Sequence, residues 1–165
     1  MPIKVNIASL TIDQTTNSPI IILKEENGER TLPIWIGLLE ATAIASELED
    51  IKFSRPMTHD LMVNAIQKFG GMIEMVEVCD LRDNTFFAIL HTTKDGKKVS
   101  IDSRPSDAIA LALRCKCPIF VQEQVFDKSS PGEMKGQEAV ETEEAKKWTE
   151  ILENLDPEDF GKYKM

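Results

Sequence analysis

Ile101-Asp102-Ser103-Arg104-Pro105-Ser106-Asp107-Ala108-Ile109-Ala110-Leu111-Ala112 is the stretch whose reading decides the fold. Its first residues close a segment, Lys97 to Asp102, that reads as a strand leaving an Asp95-Gly96 turn. Pro105 suits the first position of a helix, where a missing N–H removes no hydrogen bond. From Ala108 to Leu113 every residue is apolar, so this helix has no solvated stripe and must be enclosed by other elements. A strand that feeds an enclosed helix implies a sheet with helices packed on it, an α+β fold.

Working outward, Met72 to Cys79 and Thr85 to Thr93 read as two strands that form a meander with Lys97 to Asp102. Near the N-terminus, Ile3 to Asp13 alternates weakly, and Pro19 to Lys24 is a continuous apolar run of the kind that suits a central strand buried on both faces. Asn27-Gly28 predicts a type I′ hairpin turn, with positive φ at both positions, into Thr31 to Ile36. Leu38, Ala41, Ala45 and Leu48 fall at helical spacing, and a second helix starts near Thr58 as N-cap and stops at Gly70-Gly71. Pro118 to Val121 is a last short strand. The expectation is a single compact α+β domain over residues 1–127, with a mixed, largely antiparallel sheet. A linker at 128–141 carries Ser-Ser-Pro-Gly, and residues 142–165 hold an amphipathic C-terminal helix on Trp148, Ile151, Leu152 and Leu155.

The chain has 165 residues, enough to bury a core without disulfides. Its formal charge is -9, and residues 133–165 hold 10 acidic and 5 basic side chains, which leaves 18 and 14 for the rest. Passive neutralisation of nucleic-acid phosphates needs a basic face, so that mode of binding is excluded, whereas an enzyme that acts on nucleic acid is not. Neither a secretory leader nor a run near the ~20 apolar residues of a membrane span is found. Cys79, Cys115 and Cys117 make an odd number without a disulfide pattern, and a reducing cytoplasm is the expected location.

Strand ends and helix starts collect the chemistry-bearing side chains: Glu40, His59, Asp60, Asp80, Arg82, Asp83, Asp102, Arg104, Ser106 and Asp107. Carboxylates such as Glu40, Asp80, Asp102 and Asp107, brought within a few ångströms, would attract Mg²⁺ or Mn²⁺. Such ions polarise a phosphodiester and activate water. Arg104 or Arg82 would hold the phosphate and His59 would carry a proton, with Asp60 beside it. The plainer reading is that Asp60 and Asp107 sit in first helical turns, where the macrodipole favours a carboxylate by ~0.3–1 kcal/mol. Arg55 and Arg104, each before a proline, would then form structural ion pairs. His91 reads as a solvated residue near a strand end, and Cys115-Lys116-Cys117 as structural thiols without a His to complete a zinc set. No phosphate loop, dinucleotide fingerprint, serine-hydrolase elbow or zinc-protease motif is present.

Three segments carry a resemblance. They are Leu32-Pro33-Ile34-Trp35-Ile36-Gly37 with Glu40-Ala41; Arg55-Pro56-Met57-Thr58-His59-Asp60-Leu61; and Asp102-Ser103-Arg104-Pro105-Ser106-Asp107-Ala108-Ile109-Ala110-Leu111-Ala112. With Asp80-Leu81-Arg82-Asp83, they resemble the bifunctional nuclease domain family of bacteria and plants over roughly residues 3–127. Ser103 replaces the alanine usual in that pattern. The resemblance implies a compact α+β domain, a homodimer, and nuclease activity on both DNA and RNA. The metal-assisted mechanism and the roles given to His59, Asp60, Asp102, Arg104 and Asp107 rest on the chemistry of the residues. The alternative is a non-enzymatic oligomeric scaffold in which Arg-Pro-Ser-Asp is a structural corner.

Overall fold

The computed structural model describes residues 1–129. Seven strands form one sheet in the order β3-β2-β1-β7-β4-β5-β6: β1 (Pro2–Ile12), β2 (Pro19–Glu25), β3 (Thr31–Trp35), β4 (Gly71–Arg82), β5 (Thr85–Lys94), β6 (Lys97–Ser103) and β7 (Ile119–Gln122). Every pairing is antiparallel except β4 with β7. Helices α1 (Leu38–Leu48), α2 (Thr58–Lys68), α3 (Pro105–Cys115) and α4 (Glu123–Lys128) complete the described residues, and the α+β fold is as the sequence predicts. None of these helices is long and apolar enough to cross a membrane.

β6 and β7 run the same way on either side of β4 and β5, so the chain between them must cross those two strands. It does so as α3, which packs on β4 and β5 and is flanked by α1 and α2. This explains the apolar run: Ala108, Ile109, Ala110, Leu111 and Ala112 are all buried. Below them lie Val76 and Val78 of β4 with their cross-strand partners Leu90 and Ala88. Three alanines let the helix approach the sheet closely, while Ile109 and Leu111 each contribute ~1.5–3 kcal/mol of burial. Lys116, in the left-handed region at φ 54°, ends α3, and the Cys117 N–H donates to the Ala112 carbonyl.

Several local expectations are corrected. β2 alternates rather than being buried on both faces: Ile21 and Leu23 are fully buried, while Ile20 and Ile22 are only partly covered. Helices lie over one face of this outer strand, so its second face stays open. The β2–β3 connection uses five residues rather than a two-residue turn. Neither Asn27 nor Gly28 has positive φ, and the loop is closed by Glu25 N–H donating to the Arg30 carbonyl, with Arg30 also ion-paired to Glu25 at 2.7 Å. The Asp95-Gly96 turn does have positive φ at both positions, and so does Asp83-Asn84 between β4 and β5. Met57, not Thr58, precedes α2 as N-cap. Helix α4 runs through Lys128 and is capped by Ser129, the first two residues assigned to the linker; residues 130–141 and the C-terminal helix on Trp148, Ile151, Leu152 and Leu155 lie outside the described residues.

Candidate functional site

The first turns of α1, α2 and α3 converge, and the polar residues at these three starts are joined in one network. Arg104 is extended, as a residue before proline must be, and occupies the N-cap of α3. Its Nε donates to Asp107 Oδ2 at 2.7 Å and its Nη1 pairs with Glu40 Oε1 at 2.8 Å. The second oxygen of Asp107 takes His59 Nε2 at 2.9 Å. A carboxylate accepts only, so Nε2 carries the proton, and in the neutral ring Nδ1 is left with a lone pair. Glu40, His59 and Asp107 therefore come from three helices; Arg104 joins Glu40 to Asp107, and Asp107 joins both to His59. Burial pushes the Asp107 carboxyl up, but the hydrogen bonds from Arg104 and His59 outweigh it and hold it below the usual carboxylate range. Its neighbour Ser106 is buried in the same turn.

Exposure differs sharply across the network. The His59 side chain is 12% exposed, whereas that of Arg104 is 65% exposed. Two of the guanidinium's three nitrogens are engaged by carboxylates, and among the described residues Nη2 has no acceptor.

Asp60 points elsewhere. One oxygen accepts the Met57 N–H at 2.9 Å, and the other takes Arg114 Nε at 2.7 Å. Arg114, 7% exposed, also donates to the carbonyls of Ala110 and Ala43, so it ties α3 to both α1 and α2. For Asp60 too, burial raises the carboxyl, and the Met57 amide and Arg114 together bring it below its ordinary value. Sequence reasoning passed over Arg114. Its signal was position: it lies seven residues after Asp107, on the same side of an otherwise apolar helix.

The remaining candidates lie apart. Asp80 pairs with Lys128 at 2.6 Å and Arg82 at 3.0 Å, and the Lys128 ammonium followed by the Leu81 amide holds its carboxyl low. Arg82 also covers the Phe87 ring at 4.0 Å. Asp83 forms the turn beyond it. Asp102 is exposed on β6 and pairs with Ile89, itself opposite Glu77, so it faces away from the helices. Among the described residues no group of three or more His, Cys, Asp or Glu stands ready to hold a metal ion.

His91 is not simply solvated. Its Nε2 lies 2.7 Å from Glu77, a buried carboxylate on the helix-free face to which Gln122 also donates. A recess of about 560 Å³ beyond Gln122 and Cys79 is lined by Met1 and by the carboxylates of Glu123 and Asp127, which disfavour a phosphate. A smaller recess of about 270 Å³ borders Asp60 and Arg114 and carries Arg55, Ser54, Asn64, Glu47 and Lys52, the last ion-paired to Asp50 and Glu47. Arg55 is its one basic lining residue without an ion pair among the described residues.

An α+β domain whose three helix starts share a His–Asp–Arg–Glu network is what the fold and site define. The family model described as the bifunctional nuclease domain matches residues 21–132, and the chain belongs to that family. An uncharacterized protein of Mycobacterium tuberculosis is 37% identical over 95% of this chain and 97% of its own length. Bifunctional nuclease 2 of Arabidopsis thaliana is 34% identical over 61% of the chain, and bifunctional nuclease 2 of Oryza sativa subsp. japonica 31% identical over 67%. The matches span only about a third of those plant proteins, 32% and 35% of their lengths.

Proposed function

We propose that the protein is a nuclease that hydrolyses phosphodiester bonds in both DNA and RNA with little base preference, at the network formed by Glu40, His59, Arg104 and Asp107. The observation that carries this reading is the convergence of three helix N-termini on an exposed arginine beside a held imidazole. Helix starts attract phosphate oxygens through their unpaired N–H groups and dipoles. Arg104 Nη2 supplies a further donor to a non-bridging oxygen, and its tether to Glu40 and Asp107 means little side-chain freedom is lost on binding. Asp107 fixes the His59 tautomer, which leaves Nδ1 as the atom that takes a proton from water attacking phosphorus. Arg55, at the neighbouring recess, suits an adjoining phosphate.

Nothing in this account reads a base edge, in keeping with activity on both nucleic acids. A Mg²⁺ or Mn²⁺ ion belongs to the same proposal, since it would offset the repulsion between an acidic chain and its substrate. Glu40 and Asp107 are the carboxylates nearest the reacting position. Both are engaged by Arg104.

The test is cleavage of single-stranded DNA and RNA by the full chain, with and without Mg²⁺ or Mn²⁺, for wild type and His59→Ala. Cleavage of both polymers that falls at least about a hundredfold in the variant is the expected result. Wild-type protein that cuts neither polymer under any of these conditions overturns the proposal and leaves the scaffold reading, in which the network is a structural corner.

A further inference from the structure

The two edges of the sheet are unlike. β3 has five residues with Pro33 at its centre, and a proline cannot donate to a further strand. β6 has seven residues, Lys97-Lys98-Val99-Ser100-Ile101-Asp102-Ser103, with no proline and, by its place in the sheet, no strand on its outer side among the described residues. Val99 and Ile101 pair with Thr92 and Leu90, so they stand on the helix-bearing face, yet they are 46% and 40% exposed. No other described residue gives an ion-pair partner to Lys98 or Asp102.

The order of these residues is self-complementary. If a second β6 is laid antiparallel along the first with Ser100 opposite Ser100, Val99 falls opposite Ile101 and Lys98 opposite Asp102. The arrangement then repeats by symmetry on the other side. Directly opposed antiparallel residues share a face, so the two apolar pairs would lie together on the helix side and the two ion pairs together on the open side. A two-fold axis through Ser100, perpendicular to the sheet, generates the arrangement and makes the interface isologous. It also sets the helices of both copies on one side of a continuous sheet.

We propose that β6 is the homodimer interface, in which two copies pair edge to edge about Ser100. This gives Asp102 a partner, the Lys98 of the second copy. The assignment does not depend on nuclease activity.

The test measures the mass of the full chain by sedimentation for wild type, Lys98→Glu, Asp102→Lys and the double exchange. A wild-type dimer weakened about tenfold or more by either single exchange, and restored by the double, is expected. A Ser100→Cys variant should cross-link to its own copy under mild oxidation, because the axis sets residue 100 opposite itself within disulfide range, and Val99→Cys should not. Rescue by the double exchange separates a broken interface from a broken fold. A wild-type chain that is monomeric at about 100 µM, a dimer indifferent to the exchanges, or single-exchange variants not restored by the double would each overturn the assignment.

Discussion

His59 and Asp107, 48 positions apart in the chain, stand 2.9 Å apart at the starts of two neighbouring helices, and the second oxygen of the same carboxylate holds Arg104. Asp107 thus orients both a candidate proton carrier and a candidate hydrogen-bond donor to phosphate. Its removal should affect chemistry and helix docking together, whereas Arg104 permits the two effects to be separated.

Arg104→Lys is the informative substitution. Lysine keeps the charge but cannot reach Asp107, Glu40 and a phosphate at once. Because the Arg104 side chain is largely exposed, its ion pairs contribute ~0–1 kcal/mol to stability. The expectation is a thermal midpoint within a few degrees of wild type and a cleavage rate lowered by about tenfold or more. Differential scanning fluorimetry and a cleavage assay on one preparation check both; equal activity would remove Arg104 from the site.

Arg114→Met should behave in the opposite way. This side chain is enclosed, and its loss strands the Asp60 carboxylate and removes the donors it gives to the Ala110 and Ala43 carbonyls. The expected destabilisation is about 2–4 kcal/mol by urea unfolding, since breaking such a pair leaves a charge uncompensated. A change under about 1 kcal/mol would mean that water replaces Arg114 readily.

Acid should unfold the protein partly through Asp60 and Asp107. Both carboxyls titrate below their ordinary value in the folded chain. Their contribution is therefore complete above the unfolded-state value of about 4 and is lost as pH falls through the lower folded values. Urea midpoints should fall from about pH 4 downward, and less steeply in Asp107→Asn, which starts lower at neutral pH. An identical slope in that variant would contradict the assignment.

The thiols should be slow to react. Burial, and next the neighbouring Cys115, push the Cys117 thiol up to about 11, and burial also raises Cys79 and Cys115. At about pH 8 an aromatic disulfide reagent should titrate the folded chain far more slowly than the urea-unfolded chain, because thiolate is the reactive form. Equal rates in the two states would refute this.

Much of the fold was legible because the deciding features were local. The enclosed helix from Pro105 declared itself through the apolar run Ala108 to Leu113, and Asp95-Gly96 announced the β5–β6 turn. The five-residue β2–β3 loop was not legible, because its closure depends on Arg30, which also lies over Phe126 from α4, nearly a hundred positions away. The same limit applies to the site. That Glu40, His59, Asp60, Arg104 and Asp107 sit at element ends could be read from spacing. Which carboxylate took which cation depended on how α1 and α2 lie against α3, and Arg114 won Asp60 for that reason. The outward face of Asp102 followed from cross-strand register, which a lone strand does not display.

The adjacent pair His59 and Asp60 grips α3 at two levels, Asp107 and Arg114, about 10 Å apart along the helix axis. Two fastenings at different heights prevent sliding as well as tilting, so α2 cannot creep along α3 without releasing both. A ligand that pulled on the imidazole would therefore strain a joint a full two turns away. Amide exchange near Arg114 would then report on events at the opposite end of the helix, with no moving loop between them.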